Sequence, residues 1–534
     1  MTQYHAFYDT ETTGPTPRYD QILQAAGILT DDDFMEIDQI DARSRLSHRI
    51  VPTAGALKVT GVNPYDLARA PHDPHSFAKM LHERFQGWAG RGDILFSGYN
   101  ILNFDEEILR QTFWENLLDP YLSSGRGRGR NDLLPVVRAL YARNPDCLEV
   151  ARDPETGKAN FKLETLAPLN GFAGHDAHDA LGDVRATIFV ARLVRDTDPA
   201  LWAHMTAMGN ANAARDFVDR ERLIRLLGGP MTNPGILDCM LVASQADNPK
   251  NKSAFNLAVD PVPYLDLGPE EILAAMKKSG TPFRTVKCNK QPAAFPMGWE
   301  FLNRVSSDAF EPADPATIEA RAEMIAAHDG FRANTAEALR LKVEGYDPAT
   351  SIEEKIYEGF PSNADKAKMR DFHAQPDWAR KLEIVRDLAD DTQRALGLRL
   401  VYDNAPDALT APVRTACAER LAEERFTLAQ GKPWTTVGDL MDELDTLEEK
   451  TPGDPDLATI RAWALETYPA AGDWAGAAVA QEVSTSATPE TPALTGPAQP
   501  CCARRTEEAS PTPPSPAGAA PSSAPAPHFL DGLD

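Results

Sequence analysis

The chain has 534 residues, 42% hydrophobic and 25% charged, enough apolar material for several buried cores and about three domains. Its 54 Lys and Arg against 79 Asp and Glu give a net charge of −25, which excludes a protein that coats nucleic acid by general positive charge but leaves room for a local basic groove. No run reaches the roughly 18 apolar residues of a membrane span, MTQYHAFYDT has no signal-peptide pattern, and six cysteines without a CxxC pair suggest neither a zinc site nor a disulfide framework. The cytoplasm is therefore the expected compartment.

Strand and helix signals alternate from residue 4 to about 200. HAFYDTE has a strand-like start, QILQAAGILT is a second apolar run, and DILFSGY (93–99) is a third, bounded by turn residues. HSFAKMLHERFQGW, EEILRQTFWENLL and ALGDVRATIFVARLV have helical periodicity, so the order predicts an α/β sheet with covering helices. Residues 203–230 read as a helical bridge. Between about 235 and 305, ILDCMLVAS, FNLAVD and FRTVKCN, broken by Pro, Gly and Asn, predict a small β-rich unit. From about 315 to 470, segments such as PATIEARAEMIAAH, NADKAKMRDFH and TTVGDLMDELDTL predict a helical domain. From about 490 the Pro/Ala/Ser-rich sequence is too poor in large apolar residues to offset its ordering entropy and is expected to be disordered. The predicted division is 1–202, 203–350 with the helical bridge, 351–475, and a tail at 476–534.

Three segments carry chemistry. In FYDTETTG (7–14), Asp9 and Glu11 are two apart, so at a strand end both carboxylates share one face and repel unless a cation sits between them. Mg²⁺ suits that place, with Mn²⁺ as the alternative ion. In GYNILNFDEEIL (98–109), Asp105 follows a buried strand and opens a helix, where capping alone would also explain an acid. In HDAHDALGDV (175–184), Asp183 lies inside a helix and His178 at or before its start. Each segment alone is as well explained by a solvated surface.

Taken in order, Asp-x-Glu, then Asp, then His-x-Ala-x-x-Asp resembles the histidine-bearing branch of the DEDD exonuclease superfamily. NDLLPVVRALYARNP (131–145), FKLETLAPLNG (161–171), VKCNKQP (286–292) and IYEGFPSNADKAKMRDF (356–372) extend the likeness to the bacterial exonuclease I family over most of residues 4 to about 470. The resemblance implies a ribonuclease H-like exonuclease domain, then a small SH3-like β-rich domain and a helical C-terminal domain. It implies 3′-to-5′ hydrolysis of single-stranded DNA to 5′-mononucleotides in repair and recombination, with two divalent ions held by Asp9, Glu11, Asp105 and Asp183 and with His178 as the base. His178 rather than His175 fits, because the acid must follow five positions later: that place is Asp183 from His178 and Ala180 from His175.

For substrate contact the resemblance points to Glu11, Thr12 and Thr60 near the terminal nucleotide and to a basic residue at Lys162. Arg128, in the Gly/Arg alternation of SSGRGRGRND, is expected on a flexible cationic loop that touches phosphates. Lys287 and Lys290 add charge, while Phe104 and Trp114 are expected in the core rather than against bases. The implied partners are single-stranded DNA and the acidic C-terminal peptide of a single-stranded DNA-binding protein, with the enzyme a monomer. Two other readings fit parts of the pattern: an RNA-trimming nuclease with the same site, and a catalytically silent single-strand clamp.

Overall fold

The computed structural model describes residues 3–173, 179–303, 312–344, 349, 351–427 and 431–469. The chain divides after Trp463: Met1–Trp463 forms one compact unit, and of the part that follows only residues 464–469 lie among the described residues. The expected disordered tail lies outside the described residues.

The first sheet is built on β1 (Gln3–Thr12), whose neighbours are β2 (Ile22–Thr30) on one side and β4 (Asp93–Gly98) on the other. With β3 (Glu36–Arg43) and β5 (Arg128–Asp132) at the edges, the order is β3-β2-β1-β4-β5. β1, β2 and β3 pair antiparallel, whereas β4 and β5 run parallel to β1. Successive β1 side chains leave opposite faces of the sheet. Ala6 and Tyr8 join one core, with Phe77, Leu81 and Phe85 of helix Pro74–Ala89 and Ile108 and Phe113 of helix Asp105–Glu115. Phe7 joins another, with Val137 and Leu140 of helix Leu133–Arg143 and Val184, Val190 and Val194 of helix Ala180–Thr197. Burial on both faces explains why β1 and β2 read as near-continuous apolar runs.

After a short hairpin of β6 (Ala151–Arg152) and β7 (Ala159–Asn160), the predicted helical bridge is only partly helical. Helices Pro199–Met208 and Ala211–Glu221 form, but the chain then enters strand β8 (Leu223–Gly228). Its alternating LIRLLG finds partners on both sides in a second, all-antiparallel sheet, which overrides the helical reading. That sheet has the order β11-β10-β9-β8-β12, with β9 at Gly235–Ser244, β10 at Asn251–Asn256, β11 at Phe283–Lys287 and β12 at Ala294–Pro296. Phe255 and Phe283 pack on Ile325 and Phe331 of the helices that follow it.

The C-terminal part is helical, including Asn363–Ala374, Trp378–Arg386, Asp391–Asn404, Ala411–Phe426 and Val437–Lys450. It is tied back to the first sheet's loops by polar contacts. Arg49 pairs with Asp403 at 2.9 Å, and the Tyr19 hydroxyl lies 2.8 Å from that of Ser351 and 3.1 Å from Glu354 Oε1.

Candidate active site

β1 places Asp9 and Glu11 near its C-terminal end, on the face that carries Phe7 and helix Ala180–Thr197. That helix starts where Asp179, as N-cap, accepts from Gly182 N at 3.3 Å. Its apolar stripe of Ala180, Val184, Thr187, Ala191 and Val194 lies on the sheet, and Asp183 sits at the edge of the stripe in the first turn. Asp9, Glu11 and Asp183 each offer a carboxylate oxygen within 4.8 Å of the others.

Asp105 arrives from the opposite face, at the first position of its helix. Thr10, between the two β1 acids and pointing the other way, donates its hydroxyl to Asp105 Oδ1 at 2.6 Å and its backbone N–H to the same oxygen at 3.2 Å. The strand thus carries two acids on one face and holds the third with the residue between them.

Electrostatics mark the cluster. Burial first, then the charges of Asp105, Glu11 and Asp183, push the Asp9 carboxyl well above the usual range. Burial and Asp183 raise Glu11 to about 8, against a partial opposing pull from Arg43. Burial raises Asp105 to about 7 although the Thr10 hydrogen bonds favour its charged form. Such convergence of acids is what a divalent cation relieves, and all-oxygen donors fit a hard ion. The residues therefore suit a divalent metal.

His178, with His175 and Asp176, lies outside the described residues. Thr12 is buried and donates its hydroxyl to the Gly14 carbonyl at 3.0 Å. Thr60 is the C-cap of helix Ala54–Val59, and Lys162 is exposed, 3.3 Å from Glu164. Trp114 is in the core as expected, while Phe104 is half-buried at the cap of the Asp105 helix.

The structure does not bring Arg128 to the acids. Residues 128–132 form β5 rather than a flexible loop, and Arg128 is paired with Ile94, which is level with Tyr4 at the start of β1. Five residues of strand separate that level from Asp9, roughly 16 Å. The Arg128 guanidinium donates to the Leu122 carbonyl at 2.9 Å, and Arg130 is buried against Glu106 and the Asn289 carbonyl. Gly129 is where it is because a side chain there would come within 3.0 Å of the Gly209 carbonyl oxygen. The glycine serves close packing, not flexibility.

Several positioning residues escaped the sequence reading. Gln24, paired with Glu11 across β1 and β2, donates to Asp179 at 3.1 Å and so ties the cap of the Asp183 helix to the sheet. Asp132 accepts from Asn100 N at 2.8 Å and Leu102 N at 3.3 Å, fixing the turn that leads to Asp105, with Asn100 in the left-handed region at φ 63°. Gln291, from the second sheet's β11–β12 connection, in turn accepts from Asp132 N at 2.6 Å. A turn-forming Asn and a helix-preceding Asp were visible signals for part of this; the long-range partners were not.

The exonuclease family model RNase_T matches residues 6–191, the segment that contains all four acids. The exodeoxyribonuclease I of Haemophilus influenzae is 30% identical over 416 residues, 74% of this chain and 84% of that protein. Among solved structures, Escherichia coli exonuclease I in complex with a dA16 oligonucleotide superposes with a TM-score of 0.74 at 22% identity, covering 87% of this chain and all of that one. A structure of SSB/exonuclease I in complex with the inhibitor CFAM gives 0.73 at 22% identity, covering 88% of this chain and again all of that one.

Proposed function

The chain belongs to the exodeoxyribonuclease I family, and from that premise we propose that it hydrolyses single-stranded DNA from the 3′ end and releases 5′-mononucleotides. The observation that carries the reading is the meeting of Asp9, Glu11 and Asp183 within 4.8 Å, with Asp105 tethered beside them by Thr10. A silent clamp would have no need of a cluster in which burial and the neighbouring acids push Asp9 and Glu11 above the usual carboxylate range.

Asp9, Glu11, Asp183 and Asp105 would hold two divalent ions, Mg²⁺ with Mn²⁺ as the alternative. When bound, the metal supplies Lewis-acid activation of water and neutralises charge on the scissile phosphate and the departing 3′ oxygen. The chain's own work is to orient and to move a proton. His178 takes the proton of the attacking water, a task suited to imidazole with its ordinary pKa of about 6.5. Glu11, Thr12 and Thr60 position the terminal nucleotide, and Lys162 meets a backbone phosphate. The SSB/exonuclease I structure supports a partnership with a single-stranded DNA-binding protein; the acidic C-terminal peptide of that partner would be the part that docks, and the enzyme would act as a monomer.

The test is a 3′-labelled single-stranded oligonucleotide incubated with Mg²⁺. Wild type should release labelled mononucleotide and Asp9→Ala should not; binding without release by both would overturn the proposal. RNA of the same sequence separates DNA selectivity from RNA trimming. His178→Ala should abolish release and His175→Ala should keep it.

A further inference from the structure

The helical C-terminal part touches the nuclease part at a place close to the acids in structure although far from them in sequence. Segment 53–60 begins with Thr53, whose backbone N–H donates to the Thr13 carbonyl at 2.8 Å. Thr13 is fully buried two residues after Glu11, and its own hydroxyl donates to Asp20 Oδ1 at 2.7 Å. Thr53 is thus joined directly to the turn that leaves Glu11. The other end of the segment is Thr60.

Two side chains from beyond residue 436 fasten this segment. Glu443, in helix Val437–Lys450, accepts the backbone N–H of Ala54 at 2.7 Å. Asp454 lies 2.5 Å from Lys58 Nζ. The next residue after Ala54 is Gly55, and a Cβ there would stand 2.8 Å from Glu443 Oε1. The lack of a side chain at 55 is what lets the carboxylate reach the backbone.

We propose that Glu443 is a positioning residue of the nuclease site: through Ala54 it holds segment 53–60 against the Thr13 turn and so presets the contacts that receive the terminal nucleotide. It touches neither substrate nor the acids and acts only through that segment. The inference rests on the single-strand exonuclease reading given above, since it assigns the segment a part in binding that substrate. Because the contact acts on binding groups rather than on the carboxylates, its loss belongs in KM and not in kcat.

Steady-state hydrolysis of a single-stranded oligonucleotide with Mg²⁺, together with amide hydrogen exchange of the metal-free full-length protein, tests it. Glu443→Ala should raise KM by up to about tenfold, the scale of one charge-assisted hydrogen bond, with kcat and the thermal midpoint near wild type. Exchange should quicken in segment 53–60. Glu443→Gln keeps an acceptor oxygen and should restore both readouts. Gly55→Ala, which helix propensity alone would favour, should instead copy Glu443→Ala, and should add nothing when made in that variant. KM and exchange unchanged in Glu443→Ala would overturn the proposal. So would kcat and thermal midpoint falling together with Gln no better than Ala, or Gly55→Ala raising KM further once Glu443 is gone. If wild type degrades no oligonucleotide, the exonuclease reading fails, while the exchange comparison still decides whether Glu443 holds the segment.

Discussion

Asp105 and Glu106 are neighbours at the start of one helix, yet they belong to opposite kinds of buried charge. Glu106 is 1% exposed and fully answered by the protein: Arg110 lies at 2.7 Å, Arg130 at 3.5 Å, and the hydroxyls of Tyr8 and Ser123 donate to it. Asp105 accepts from Thr10 but faces a cluster in which the groups acting on Asp9 are all acids. Both arrangements cost desolvation. The first offsets it with covalently attached cations and is complete on folding; the second leaves the offset to something that arrives from solution. A buried carboxylate is therefore informative through what opposes it, not through burial itself.

The comparison breaks most visibly at Asp9. Asp9→Asn should reduce hydrolysis to background and yet stabilise the metal-free protein, because it removes one repelling charge; a rise on the order of 1 kcal/mol, roughly 1 °C for a folded unit as long as Met1–Trp463, would be seen in melts with chelator. A fall in midpoint would mean that Asp9 is answered from within the fold. At Glu106 the sign reverses. Glu106→Gln leaves two buried guanidinium groups without their carboxylate and should cost about 3–5 kcal/mol, measured by denaturant unfolding.

pH sharpens the same contrast. In the metal-free protein Glu11 is raised to about 8, above the roughly 4.3 of an unfolded Glu, so between those values the folded state binds the extra proton. The unfolded state then binds fewer protons, and stability falls as pH rises through the window. The stability linked to the protonated carboxyl is fully present below the unfolded pKa and lost as pH passes about 8. Mg²⁺ needs the carboxylate form, so its binding should release protons at pH 7, and the rise in thermal midpoint it produces should be larger at pH 9 than at pH 5. Calorimetry in buffers of different ionisation enthalpy measures the protons directly. A smaller effect is expected at Asp179→Ala, where loss of the cap should cost about 1 kcal/mol and loosen Asp183. Lys162→Ala should do least, weakening oligonucleotide binding mainly at low salt.

What the residues alone made legible about the acids is local; that Asp9, Glu11, Asp105 and Asp183 belong to one site came from the resemblance, because each segment by itself reads equally as surface or helix cap. A two-residue period fixes a shared strand face, and a helix start with acids in its first turn follows from sequence order alone. Gln24 and Gln291 were not legible, and Asp132 only as a helix cap, because the rest of what they do depends on partners far away in the chain. β5 was misread for a related reason: glycines alternating with arginines look like a flexible loop until Gly209 is seen crossing Gly129 and Glu106 is seen holding Arg130. The broad order of mixed sheet, β-rich middle and helical C-terminal part was readable from periodicity, whereas LIRLLG became a strand only because the second sheet had a place for it.

The alternation along β1 has one more consequence. Thr10 looks to one side while Asp9 and Glu11 look to the other, and the same parity sends Phe7 and Tyr8 into different cores. A slip of one residue in the pairing of β1 would exchange every one of these at once. The acids would be driven into the packing of the first helices and the aromatic rings would trade compartments, so such a molecule would lose its interior together with its chemistry. The fold thereby proofreads its own catalyst: a misassembled copy cannot persist as a well-packed decoy that occupies a strand end without cutting it.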